Sequence, residues 1–181
     1  MNLKDLKNIA EKNYIDVSSK WFLEKIKDRY RWPITYFGGQ PTVEVILEDG
    51  SKTNNLFLAD GYVNSDLVID AYDKGYTVLL SRIQKMHPDI LNLGLQTDKY
   101  CNQEVNMNVY FGKGTSSVSF PSHTHEYAVL VKSIEGESEW VIGGETKLLK
   151  DQEAIYFDAY VPHAVTKIIR PKLTITCNLV T

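Results

Sequence analysis

A dense succession of strand patterns from about Asn106 onward constrains the fold most strongly. Short Gly-rich or polar turns separate these segments, and such spacing is typical of an antiparallel sandwich or barrel. The segments are VNMNVYFG, SFPSHTHEYAVLVKSIEG, SEWVIGG, ETKLLK, EAIYFDA and AVTKIIRPKLTITCNLVT. We therefore predict a β-barrel core over residues 106–181, with a break in the strand pattern at Gly136.

The first 105 residues mix helix and strand patterns. Apolar residues at helical spacing start at Leu3, a second helix is capped by Ser18 or Ser19, and a third is capped by Ser65. The runs TVEVILEDG and YTVLLSRI read as strands, and PDILNLGLQTDKY reads as a fourth helix. No linker divides the chain, so we predict one domain over residues 1–181, in which residues 1–105 pack on the barrel.

Composition limits the function classes. The chain has 181 residues, is 43% hydrophobic and carries a formal net charge of −3, which gives no reason to expect nucleic acid binding. No apolar run approaches the roughly 20 residues of a membrane helix, and the N-terminus lacks an apolar signal core. We expect a soluble, cytoplasmic protein in which Cys101 and Cys177 are reduced and structural.

Three of the four histidines form a candidate metal site. His123 and His125 would share one face of a strand, and His163, in YVPHAV, could return beside them. Three neutral imidazoles suit a divalent transition metal and leave coordination positions open. We predict that all three bind metal, although a His-x-His pair can also occur by chance on a surface strand.

Two other residues compete for this role. Glu126 adjoins His125, but strand alternation places it on the opposite face unless a bulge intervenes, so we expect a solvent-facing or supporting carboxylate. His87 precedes Pro88 at the start of a predicted helix, and we expect it to be a surface or capping residue.

The segment NVYFGKGTSSVSFPSHTHEYAVLVKSIEGESEWVI, with the later DQEAIYFDAYVPHAV, resembles the JmjC-type oxygenases of the cupin superfamily, and within them the bacterial cupin-4 branch. The matching elements are Asn108-Val109-Tyr110, His123-Thr124-His125, Gly136, Trp140 and the approach from Tyr156 to His163. The likeness extends over about residues 66–181. It implies a double-stranded β-helix, the jelly-roll barrel of cupins, that holds Fe(II) and uses 2-oxoglutarate for hydroxylation or demethylation.

Two departures from that pattern change the expectation. His125 stands where the family carries a carboxylate, which makes the ligand set neutral, as in cupin dioxygenases that act on thiols and diketones. Ser138 stands where the family carries a Lys or Arg for the distal carboxylate of 2-oxoglutarate. A serine lacks that charge-assisted contact, and Glu137 and Glu139 flank it. Use of 2-oxoglutarate is therefore disfavoured.

Several residues are candidates for substrate contact. Asn108 and Tyr110 share a face, as do Asn178, Thr174 and Thr176 on the last strand; Tyr110 is equally well a core aromatic. Lys132 and Lys147 could supply the missing positive charge, but Lys132 has the wrong strand parity, and a solvated lysine is the favoured interpretation.

We therefore predict a metal-dependent cupin oxygenase, with Fe(II) as the favoured metal, that oxidises or hydroxylates a small molecule. The chain stops soon after the last strand pattern, which favours a small substrate over a ribosomal protein. One alternative is a non-catalytic cupin that binds a small ligand, because the barrel segments also resemble those of AraC-type regulators. Another is a Zn or Ni isomerase or hydrolase. For the oligomeric state we consider a homodimer in which the strand TVEVILE pairs across the interface.

Overall fold

The computed structural model describes residues 2–31, 41–47, 49–53, 55–114 and 120–179. The helices are Leu3–Lys12 (α1), Ser19–Lys25 (α2), Ser65–Asp73 (α3) and Pro88–Cys101 (α4), and a 3-10 turn, Ile26–Asp28, follows α2. The strands are Val43–Ile46 (β1), Lys52–Thr53 (β2), Thr77–Ser81 (β3), Asn106–Gly112 (β4), Ala128–Ile142 (β5), Glu145–Leu149 (β6), Ala154–Phe157 (β7) and His163–Leu179 (β8). The predicted strand segments also include Glu48, Ser119, Val180 and Thr181, which lie outside the described residues.

The strands form one antiparallel sheet in the order β2-β1-β3-β4-β8-β5-β6, and β7 pairs with β5. β8 is central, since it pairs with β5 along its length and with β4 through its second half. The three N-terminal strands continue the sheet beyond β4 in the order β3, β1, β2. This arrangement agrees with the predicted fold class, which is mainly β of the jelly-roll type with N-terminal helices and strands.

Three residues were predicted to cap helices, and the observed N-termini of α2, α4 and α3 can be compared with these predictions. Ser18 caps α2, because its hydroxyl accepts the Trp21 N–H at 3.2 Å. His87 caps α4, since its Nδ1 accepts the Asp89 N–H at 3.2 Å and Pro88 opens the helix; its predicted capping role is confirmed. The prediction for Ser65 is wrong: Asn64 is the residue before α3 and makes no side-chain capping bond, and Ser65 is the first helical residue.

The predicted break at Gly136 is also wrong, because β5 continues through it as a single strand of 15 residues. The pairing between β5 and β8 shifts register on both sides of Gly136, so the glycine marks an irregularity within the strand pair. Its φ is +98°, and a Cβ there would lie 2.1 Å from the Pro171 carbonyl oxygen and 2.7 Å from the Lys172 Cα. Only glycine fits so close an approach of two backbones.

We expect Gly136→Ala to lower the free energy of unfolding by more than about 2 kcal/mol, since it adds a steric clash to the unfavourable backbone conformation. Gly144→Ala is the matched control. Gly144 has a φ of +87°, but a Cβ there would meet no atom within 4 Å, so the loss should be only about 1 kcal/mol. Urea denaturation measures the free energy of unfolding of both variants. Equal losses would show that the close approach to Pro171 does not add to the cost of the substitution.

Two clusters of buried hydrophobic residues form the core of the protein. The first joins the N-terminal helices to β3, β4 and β8, and in it Phe22 of α2 stacks on Phe111 of β4 with ring centroids 5.8 Å apart. The second lies among β5, β6 and β7 and includes Val129, Trp140 and Phe157. Burial of both faces of the sheet stabilises the barrel. None of the helices in the described part of the chain is long and apolar enough to cross a membrane.

Candidate metal centre

A cavity of about 310 Å³ lies within the strand framework, walled by side chains of β1, β2, β3, β4, β5, β7 and β8 and of the segment that precedes β5. This volume is at the lower end of the range for small-molecule sites. The structure places all six of the site residues predicted from the sequence in the wall of this cavity: His123, His125, His163, Asn108, Tyr110 and Asn178. Their separate roles stay predictions.

The three imidazoles converge at one point of the wall. Their candidate ligand nitrogens all lie within 4.8 Å of one another, and their ring centroids are 4.4 to 5.0 Å apart. Metal–nitrogen bonds of about 2.1 Å hold tetrahedral ligands roughly 3.5 Å apart. Small rotations of the rings would therefore bring all three nitrogens onto one ion, and the residues fit a divalent metal.

Hydrogen bonds fix the proton on two of the rings. The Nδ1 of His123 lies 2.8 Å from the carbonyl oxygen of Pro121, and the Nδ1 of His163 lies 2.9 Å from that of Val161. A carbonyl oxygen only accepts, so each Nδ1 carries the hydrogen and donates it. Each Nε2 then keeps a lone pair for a metal, which is the usual way that a protein orients a histidine ligand.

The backbone around the histidines differs from the predicted strand. Regular pairing in β5 begins only at Ala128, so His123 and His125 precede the strand. His123 and His163 exchange backbone hydrogen bonds of 3.2 and 3.0 Å, and the Tyr160 N–H donates to the His125 carbonyl at 2.7 Å. These bonds tie the His-x-His segment to the start of β8, so local contacts bring together the rings that strand alternation was expected to align.

Burial favours the neutral form of His125 and His163. Burial is the main cause that lowers the pKa of His125 to about 4, and the neighbouring imidazoles of His123 and His163 add to it. Burial likewise lowers the pKa of His163, with a further contribution from His123. Neutral imidazoles are the form that binds metal.

Aromatic rings hold two of the imidazoles in place. Phe157 stacks on His163 at 4.0 Å between centroids, and Tyr127 stacks on His125 at 4.9 Å with planes 2° apart. Glu126 is exposed and does not belong to the ligand cluster, which agrees with the solvent-facing position expected for it.

Neutral polar groups line the cavity beside the histidines. Burial raises the pKa of Tyr110 far above its ordinary value, so the phenol keeps its proton and can donate a hydrogen bond. Asn108 is buried, its Oδ1 accepts the Arg82 N–H at 3.3 Å, and its side chain also hydrogen-bonds the Tyr110 hydroxyl. Asn178 lies on the same face of β8 as Thr174 and Thr176, as predicted.

The two lysines proposed to supply positive charge lie elsewhere. The expectation that Lys132 is solvated is wrong: it is fully buried on the face of β5 away from the cavity, and its Nζ donates to the Gln152 carbonyl at 2.5 Å. The residue lies within the protein because α1 packs over β5 and β7. Lys147 is exposed on β6 and pairs with Glu145 at 3.7 Å.

The hydroxyl of Ser138 already has a hydrogen-bond partner within the protein. The residue is buried, and its hydroxyl accepts the Trp140 Nε1–H at 3.0 Å. It therefore orients an indole in the cavity wall. Two other lysines line the cavity: Lys52, which pairs with Glu44 at 3.5 Å, and Lys172 on β8, which sequence reasoning missed. Continuing the alternation of Asn178, Thr176 and Thr174 by one step would have identified it.

Comparison with known proteins adds a family match. Residues 111–168 match the cupin domain family, and no curated protein sequence matches the chain. Similar solved structures include the DMSP lyase DddQ from Ruegeria pomeroyi DSS-3, with 19% identity over 41% of this chain and 37% of that chain and a TM-score of 0.37. Others are a cupin superfamily protein from Desulfitobacterium hafniense DCB-2, with 16% identity over 42% and 68% and a TM-score of 0.38, and salicylate 1,2-dioxygenase from Pseudoaminobacter salicylatoxidans, with 13% identity over 41% and 19% and a TM-score of 0.34.

The aligned part thus spans less than two thirds of the lyase and dioxygenase chains. The closer likeness to JmjC-type and cupin-4 oxygenases stays a prediction. The family match over residues 111–168, together with the mainly antiparallel β fold, supports a place in the cupin superfamily for the barrel.

Proposed function

We propose that the protein is a metal-dependent cupin oxygenase that uses Fe(II) to oxidise or hydroxylate a small molecule. The observation that carries the proposal is the convergence of three imidazoles, with ligand nitrogens within 4.8 Å, in the wall of a cavity of about 310 Å³. Three protein ligands leave positions on a metal for oxygen and for a chelating substrate.

The bound Fe(II) would supply the activation of oxygen. The residues of the chain would do the rest: His123, His125 and His163 would hold the metal, and Tyr110, Asn108 and Asn178 would orient the substrate by hydrogen bonds. Val129, Val131 and Phe157 give one side of the cavity an apolar wall. An apolar wall lowers the local polarity and so strengthens the polar contacts beside it.

The proposal does not require 2-oxoglutarate. The hydroxyl of Ser138, at the position where the resembling oxygenases carry a base, is bonded to Trp140. Lys172 nevertheless places a positive charge in the cavity from another strand. Activity should therefore be measured both with and without 2-oxoglutarate.

Anaerobic reconstitution with Fe(II) tests this function. The loaded protein should consume oxygen faster with at least one member of a panel of small organic acids than iron alone does, and a His163→Ala variant given the same iron should not exceed that background. Failure of every first-row divalent ion to bind, by metal analysis and calorimetry, would refute the proposal.

A Zn or Ni isomerase or hydrolase is the second candidate. A neutral set of three nitrogens suits Zn²⁺ as well as Fe(II). Expression in defined medium with equal Fe, Zn and Ni, followed by metal analysis, separates the two. If the protein carries Zn or Ni and converts a substrate without oxygen, the isomerase or hydrolase proposal replaces the oxygenase proposal.

A further inference from the structure

Lys172 is a buried cation in the same cavity as the three histidines. It lies on β8 opposite Gly112 of β4, lines the cavity and is only 4% exposed. Over the described residues it has no hydrogen-bond or ion-pair partner. A nearly buried ammonium group without a protein partner is costly, and a ligand that completes the pair would offset that cost.

The other buried lysine of the barrel shows the contrast. Lys132 is equally inaccessible, but its Nζ is bonded to the Gln152 carbonyl at 2.5 Å. Burial lowers the pKa of each lysine to about 8, so both hold a proton at neutral pH. Lys132 uses its charge within the protein, whereas the charge of Lys172 faces the cavity.

The remaining charged residues of the cavity wall leave this charge unbalanced. Glu44 and Lys52 both line the cavity and pair with each other at 3.5 Å. Neutral hydroxyl and amide groups, from Thr174, Thr176 and Asn108, share the wall with Lys172. Lys172 is therefore the positive charge in the described wall that a ligand could neutralise.

We propose that Lys172 binds the carboxylate of a small organic acid whose other end reaches the histidine centre. A carboxylate carries one negative charge, which matches one ammonium group, and it accepts charge-assisted hydrogen bonds from it. A phosphate dianion carries a second negative charge that the single ammonium group of Lys172 would not balance. This inference names the substrate class for the proposed function and rests on it, but binding of the acid can be measured without turnover.

Calorimetry with defined probes tests the inference. Benzoate, pyruvate and butyrate are titrated into the protein, each beside its neutral amide, and inorganic phosphate is titrated separately. At least one acid should bind at least 10-fold more tightly than its amide. Lys172→Met should lose that preference at least 10-fold, Lys172→Arg should retain part of it, and Lys132→Met should behave as the wild type.

Several outcomes would overturn the inference: equal affinity of acid and amide, full affinity in Lys172→Met, no binding of any acid, or binding of phosphate in place of the acids. The comparison of acid with amide in the wild-type protein does not depend on how any variant folds. Zn²⁺ titration of each variant keeps the two proposals separate. Failure of the wild type to bind metal counts against the proposed function alone, whereas loss of the acid preference with metal binding intact counts against the role of Lys172.

Discussion

A His163→Ala variant is expected to bind divalent metal at least roughly 100-fold more weakly than the wild-type protein, since it loses a ligand and not merely a supporting contact. The thermal stabilisation that metal gives the wild type should disappear with it, because only binding to the folded state raises stability. Calorimetry with Zn²⁺, followed by anaerobic titration with Fe(II), measures the affinity, and melting curves with and without metal measure the stabilisation.

His87→Ala is the matched control for this experiment. His87 caps α4 through the Asp89 N–H and lies outside the histidine cluster. Its removal should cost about 1 kcal/mol of stability and leave metal affinity unchanged. If His163→Ala still bound one equivalent of metal with wild-type affinity, the cluster would not be the metal centre.

Replacement of Lys172 by Met is expected to stabilise the ligand-free protein at neutral pH. Burial lowers the pKa of Lys172 from 10.5 to about 8, a difference that corresponds to roughly 3 kcal/mol. Below pH 8 the amine is charged in the folded and unfolded states alike, and the folded state carries the full cost of burying the charge. Above about pH 10.5 it is neutral in both, and this cost is absent.

The free energy of unfolding of the wild type should therefore rise between pH 8 and pH 10.5. In this range the unfolded chain binds more protons at Lys172 than the folded protein does. The difference between Lys172→Met and the wild type should be on the order of 3 kcal/mol at pH 7 and should shrink towards zero near pH 10.5. Lys132 titrates in both proteins and cancels in the comparison. Urea denaturation at the two pH values gives the result, and a difference that does not change with pH would contradict the assigned cause.

Much of the fold follows from local patterns in the sequence. The alternation within the segments from Asn106 onward predicted the antiparallel barrel, and the His-x-His spacing with a distant third histidine predicted three side chains that the structure does bring together. Such features depend on side-chain period and on residue chemistry, which a single sequence displays directly.

The wrong predictions concern residues whose environment depends on elements that are distant in the sequence. Gly136 reads as a turn, but the approach of Pro171 makes it an irregularity within β5. Lys132 reads as solvated, but α1 covers the face of the barrel on which it lies. Lys172 went unnoticed because the shared face of the last strand was followed only from Asn178 to Thr174, one step short of Lys172 on β8.

Because β8 is one continuous strand, it sets the distance between the histidine centre and Lys172, the two groups proposed to bind the ligand. One strand of 17 residues carries His163 at its first position and Lys172 in its second half, so the span between the histidine centre and the lysine is set by backbone pairing with β4 and β5. A slip by one residue would turn Leu173 into the cavity in place of Lys172. The barrel should therefore select acids by chain length, and homologous acids that differ by single methylene groups should show one sharp optimum.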